Sequence, residues 1–131
     1  MKAQQIPDRV RRLVAERSQG LCEICGRRPA QQLHHRRPRK MGGSRRESTN
    51  TPANLLAIDA LCHADIESSR LHAESFGWLI PDAVADPARM PVLLATAHGE
   101  LFCLLDHEGG KWVMDLVEPL ADALSDCKGE Q

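Results

Sequence analysis

The chain has 131 residues, 27% of them charged and 3% aromatic, with a formal net charge of −1. That length bounds it to one small domain, with at most an appendage and a core that is marginal without a staple. Met1-Lys2-Ala3-Gln4-Gln5 leads into charge without an apolar h-region, and the apolar run Met90 to Ala97 is too short for a bilayer, so neither a secretory leader nor a membrane span is expected in this sequence.

The near-neutral total hides a segregation. Residues 1–46 hold 13 Lys/Arg against three acids, net +10, whereas residues 47–131 carry −11. A basic half of this kind is the footprint of a phosphate-binding surface, and its plainer alternative is a solvated face.

Pro7 opens a helix over 7–19, with Val10, Leu13 and Val14 at i, i+3 and i+4 and Gly20 as a left-handed stop. Arg9, Arg11, Arg12 and Arg17 fall largely away from that stripe. Leu21-Cys22-Glu23-Ile24-Cys25-Gly26 then has the Cys-x2-Cys turn of a zinc knuckle, although such a pair alone would equally serve redox chemistry. The five cysteines are an odd count, and three fall in one motif region, so a disulfide framework is not expected. Metal-bound thiolates in a reducing, cytoplasmic setting account for them better.

Arg27, Arg28, Arg36, Arg37, Arg39, Lys40, Arg45 and Arg46 follow with no acid among them. Leu33-His34-His35 reads as a short strand, and Pro38 with Gly42-Gly43 turns it into a basic loop. Arg36, Arg37, Arg39 and Lys40 are the candidate phosphate contacts, which position a duplex without reading it. Ser48 to Thr51 is a polar turn, and Asn54-Leu55-Leu56-Ala57-Ile58 is a second short strand. From Asp59 the pattern is helical, with His63, Ile66, Glu67 and Arg70 on one side and Gly77 as terminator. Beyond it, Pro81, Pro87 and Pro91 suggest an extended linker. Val92–Ala97, Leu101–Leu105 and Trp112–Val117 are strand-like and form a small antiparallel sheet packing on the preceding core. Cys103 is most simply a buried hydrophobe, residues 118–126 one weak helix, and Cys127 part of a frayed tail.

His34-His35, Asn54 before an apolar pair, and His63 directly after Cys62 resemble the HNH endonuclease motif. Cys22-x2-Cys25 and Cys62 fit its zinc-binding version. The chain resembles the small HNH proteins of actinobacterial phages, which also carry runs like Ile66-Glu67-Ser68 and Gly77-Trp78-Leu79. The likeness covers roughly residues 9 to 80.

The resemblance implies an α+β fold with a small ββα-metal core. It divides the chain into an endonuclease domain over 1–80, with knuckle and core at 21–76, and an acidic β-rich appendage over 81–131. It implies His34 as a metal ligand, His35 as general base, His63 as the second ligand and Asn54 as a brace on the loop backbone that fixes His35. Glu67, four residues after His63 on one helix face, stands where colicin-type members place a further ligand. An ordinary surface pairing with Arg70 competes with that role. Where the family supplies a second Cys-x2-Cys, this chain has Asp59 three positions before Cys62. A carboxylate is an acceptable zinc ligand, so Cys22, Cys25, Asp59 and Cys62 make a candidate structural zinc set.

The implied activity is hydrolysis of DNA phosphodiesters with a divalent cation, Mg, Mn, Ni or Zn, in phage DNA processing or packaging. The site would be bacterial or phage-infected cytoplasm, with DNA and phage packaging proteins as partners and no membrane. Two other classes stay open. One is a zinc-knuckle nucleic-acid binder without catalysis; the other is an assembly protein recruiting a partner through its acidic tail.

Overall fold

The structure is a computed structural model and describes residues 5–38 and 46–114. Arg39, Lys40, Gly42-Gly43, the segment 118–126 and Cys127 lie outside the described residues. Helix α1 spans Asp8–Ser18, with Pro7 as an extended cap rather than the first helical residue. Its stop comes one residue early: Gln19 already takes a left-handed φ of 56°, and Gly20 continues it at 79°. Val10 and Val14 bury against strand β2, Leu55–Ile58.

Strand β1, Gln32–His35, pairs antiparallel with β2, and His34 stands opposite Leu56 and His35 opposite Leu55. All four residues of β2 are buried, because the strand serves two clusters. Leu55 and Ala57 face α1, while Leu56 and Ile58 face the main core, the alternation a two-residue period dictates. Between the strands the polar turn forms two short 3₁₀ segments, Glu47–Asn50 and Pro52–Asn54.

Arg17 departs from its expected exposed position. Its guanidinium pairs twice with Glu23, at 2.7 and 2.9 Å, and also donates to the Pro52 and Leu55 carbonyls. Glu23 in turn accepts from the Ala57 amide. Both side chains are 2% exposed, so this pair joins the end of α1 and the knuckle to β2. Burial with every partner supplied is the physical reason Arg17 left the solvated face.

Helix α2, Ala60–Ser68, and helix α3, Arg70–Ser75, replace the single helix expected after Asp59. The break falls at Ser69, whose φ is −138°. Serine competes with helical bonding through its own hydroxyl, and Ser68 Oγ donates to the Asp65 carbonyl. Gly77 ends α3 at φ 77°, and a Cβ there would collide with the Pro91 carbonyl oxygen, so no other residue fits.

The proline-rich stretch is fastened down rather than extended. Asp86 caps a 3₁₀ turn, Pro87–Arg89, and the sheet follows at once. Strands β3 (Val92–Thr96), β4 (Gly99–Leu105) and β5 (Lys111–Val113) form an antiparallel sheet in that order. Val92, Leu94, Cys103 and Leu105 share one hydrophobic cluster with Cys22, Leu56, Ile58, Ile66 and Leu79. The molecule is thus a small mixed α+β domain with two antiparallel sheets, and its core crosses residue 80 without interruption. Among the described residues no helix is long and apolar enough to cross a membrane.

Candidate metal centre and histidine cavity

The knuckle and the start of α2 bring Cys22, Cys25, Asp59 and Cys62 together, their donor atoms all within 4.8 Å of one another. Tetrahedral zinc–sulfur bonds of ~2.3 Å place sulfurs roughly 3.8 Å apart, so a small contraction suffices for an ion. Three sulfurs and one carboxylate are a donor set that zinc accepts, and the residues fit it.

Asp59 does two things at once. Its Oδ1 accepts from the Cys62 amide at 2.9 Å and caps α2, while its Oδ2 accepts from the Cys25 thiol at 3.2 Å. Burial would raise the carboxyl pKa, but the Cys62 amide and the surrounding thiols outweigh it and hold Asp59 below the usual range. Burial pushes Cys22 up, and burial together with Asp59 pushes Cys62 well up. Cys25 goes the other way: burial opposes its thiolate, and the Arg27 and Arg28 amides more than compensate. Binding a metal here therefore releases protons. Arg28 stands beside the group, its Nε 3.1 Å from Asp59 Oδ1 though not aligned for a hydrogen bond, and its positive charge offsets part of the thiolate charge.

A second cluster lies at the end of β1. His34, His35 and His63 line a cavity of about 320 Å³ with Leu33, Pro38, Glu67, Arg70 and Leu79. The His34 and His63 rings are 5.5 Å apart. His63 Nε2 is 3.9 Å from Glu67 Oε1, and Glu67 Oε2 is 3.1 Å from Arg70. Glu67 thus makes the expected pair with Arg70 while also lining the cavity beside His63. The donor atoms of His34, His63 and Glu67 do not converge as those of the knuckle do; among the described residues the Cys/Asp group alone gathers so closely.

Burial pushes His34 down to about 4, keeping its ring neutral. Its Nε2 donates to the Trp78 carbonyl at 2.8 Å, which leaves Nδ1 for a ligand. His35 turns to the other side of the strand, and its Nε2 lies 2.8 Å from Asn50 Oδ1.

Asn54 is fully buried. Its Oδ1 accepts from the Arg37 amide at 2.8 Å, and its Nδ2 donates to the carbonyls of Arg37 and Thr49. It grips backbone just after His35, at Arg37, and backbone just before Asn50, at Thr49.

Two of the expected phosphate contacts are corrected. Arg36 is wholly buried, and its guanidinium donates to the carbonyls of Gly77, Ala53, Pro87 and Met90. Arg37 is 2% exposed and donates to the Val84 and Ala85 carbonyls and Ser48 Oγ. Neither can reach a phosphate, because each guanidinium is spent on holding the Pro81–Met90 stretch to the hairpin.

Sequence reasoning missed Asn50, Arg28, and a chain from Thr51 Oγ1 to His107 Nδ1 and from His107 Nε2 to Asp86 Oδ1, both at 2.7 Å. Four polar residues in a row at 48–51 gave no means of choosing Asn50, and His107 lies 56 residues from Thr51. A further cavity, of about 510 Å³, lies apart from the histidines, between the knuckle and the β3–β4 turn. Comparison with protein-family models, curated proteins and solved structures finds no match to this chain.

Proposed function

We propose that the protein is a metal-dependent endonuclease of the HNH type that hydrolyses phosphodiester bonds in DNA. The observation that carries this reading is the grouping of His34, His35 and His63 around one open cavity, on a hairpin and helix braced by the buried Asn54. His35 accepts the proton of the attacking water, since a neutral imidazole has its pKa near working pH. His34 through Nδ1, and His63 with Glu67 beside it, would hold a divalent cation. When bound, that ion supplies Lewis acidity at the phosphate and steadies the leaving oxygen. Imidazole donors favour Mn, Ni or Zn over Mg, which prefers oxygen. Arg70, at the rim of the cavity, is the cation placed to meet a phosphate in the stead of Arg36 and Arg37. Arg39 and Lys40 keep their proposed part in holding the DNA backbone.

A structural zinc on Cys22, Cys25, Asp59 and Cys62 would pin the start of α2, and Cys62 and His63 are consecutive. The metal would thereby steady the helix that presents His63. The proposed setting is phage DNA processing or packaging in a bacterial or phage-infected cytoplasm, with packaging proteins as partners.

The tighter convergence of the cysteine group favours a second reading, a zinc-knuckle nucleic-acid-binding or packaging-assembly protein without catalysis. Incubating the purified chain with supercoiled DNA under Mg, Mn, Ni and Zn separates the two. The nuclease reading expects metal-dependent nicking, and the binding reading expects retarded but intact plasmid.

A further inference from the structure

The bond between His35 and Asn50 is built from both ends. His35 closes β1, and the next residue, Arg36, donates its amide to the Asn54 carbonyl at 2.7 Å. Asn50 closes the 3₁₀ segment Glu47–Asn50, and the residue before it, Thr49, gives its carbonyl to Asn54 Nδ2 at 2.9 Å. One buried asparagine thus holds both backbones from which the two side chains meet. On the far side of Asn50, Thr51 Oγ1 donates to the Ser48 carbonyl, and Thr51 also contacts His107, itself held by Asp86. Asn50 is 7% exposed, so its side chain has little room for another rotamer.

An amide oxygen only accepts, so the 2.8 Å contact requires the imidazole proton on Nε2 of His35. The lone pair then sits on Nδ1. We infer that Asn50 is the positioning residue for His35: it fixes the ring's orientation and tautomer so that Nδ1 is the nitrogen that accepts the proton of the attacking water. This rests on the nuclease reading for the proton transfer, whereas the tautomer and ring orientation stand on the hydrogen bond alone. A merely structural Asn50 would brace the turn and leave the imidazole proton in free exchange with water.

The test is made on the full chain. Proton NMR in water, with nitrogen-15 labelling, looks for a protected imidazole N–H assigned to His35 by its loss in His35→Ala. The expected wild-type proton is on Nε2. It disappears in Asn50→Leu, which is similar in shape but accepts nothing, and persists in Asn50→Asp, which keeps an acceptor oxygen. In plasmid nicking, Asn50→Leu lowers kcat on the order of 10²-fold with KM unchanged, the scale of a misoriented catalytic group, and Asn50→Asp retains most of the rate. A wild-type proton on Nδ1, an Asn50→Leu protein that keeps the resonance, or an Asn50→Asp protein that loses it overturns the inference. A wild-type chain that shows the Nε2 proton but never nicks DNA contradicts the nuclease reading and leaves the tautomer assignment standing.

Discussion

Arg36 shows how one side chain can organise several segments of the fold. It is fully buried, and burial pulls its pKa down to about 9, with four backbone carbonyls as partners. Those carbonyls belong to the segment before β2, the end of α3 and the Pro87 turn, so one guanidinium ties three otherwise irregular stretches together. Arg36→Met should therefore destabilise by about 3 kcal/mol or more, since charged hydrogen bonds are lost and buried carbonyls are stranded. Arg36→Lys should recover little, because an ammonium lacks the planar fork that reaches several acceptors at once. Urea unfolding measures both, and a loss under 1 kcal/mol in Arg36→Met would contradict the keystone role. None of this was legible in the sequence. Within Arg36-Arg37-Pro38-Arg39-Lys40 every cation looks alike, and only distant carbonyls at Gly77, Pro87 and Met90 decide that Arg36 is interior. His34 and His63 were paired in the sequence only through the likeness to the HNH motif, and the fold sets their rings 5.5 Å apart.

Among the elements, β1, β2, α2 and the β3–β5 sheet were readable because each rests on a local period or on a turn signal beside it. The broken α2–α3 helix and the fastened proline stretch were not. Their geometry depends on Ser69 and on hydrogen bonds from Arg36 and Arg37. Asp59 shows how a substitution in a motif acquires a second role: it caps α2 as well as standing among the thiols. Asp59→Ala should lose about 1 kcal/mol of stability even under chelator, from the cap alone, and more when zinc is present. Equal melting of the two proteins in zinc would remove Asp59 from the metal centre. Asp59→Cys adds a softer ligand but forfeits the cap, so its zinc-free form should be the less stable.

The Thr51–His107–Asp86 chain ties the β4–β5 turn to the hairpin loop and carries a pH signature. Burial opposes the Asp86 carboxylate, but the Ala88 amide and His107 outweigh it and lower its pKa from 3.8. A carboxylate depressed in the folded state contributes stability above its unfolded pKa and loses it as pH falls through the folded value. Asp86→Asn should accordingly flatten the acid side of the stability curve, and an unchanged acid limb would show that the chain contributes nothing.

At the scale of the whole molecule, one hydrophobic cluster runs from the knuckle through α2 to the sheet, so the two groups of candidate residues are mounted on a common core. The chain's charge asymmetry was legible from composition, yet its meaning changed once Arg17, Arg36 and Arg37 turned inward. Under the proposed reading, DNA would meet the cavity of His34, His35 and His63, lined also by Arg70, with Arg39 and Lys40 in their proposed part. The central claim is that this cavity hydrolyses DNA with His35 as the base. It is tested most directly by metal-dependent nicking of supercoiled plasmid, wild type against His35→Ala, both checked for folding by their melting curves. The account predicts cleavage by the wild type and a rate about 10²–10⁴-fold lower for a folded, DNA-binding His35→Ala. Equal cleavage by the two proteins, or a wild type that leaves the plasmid intact under every cation, would contradict it.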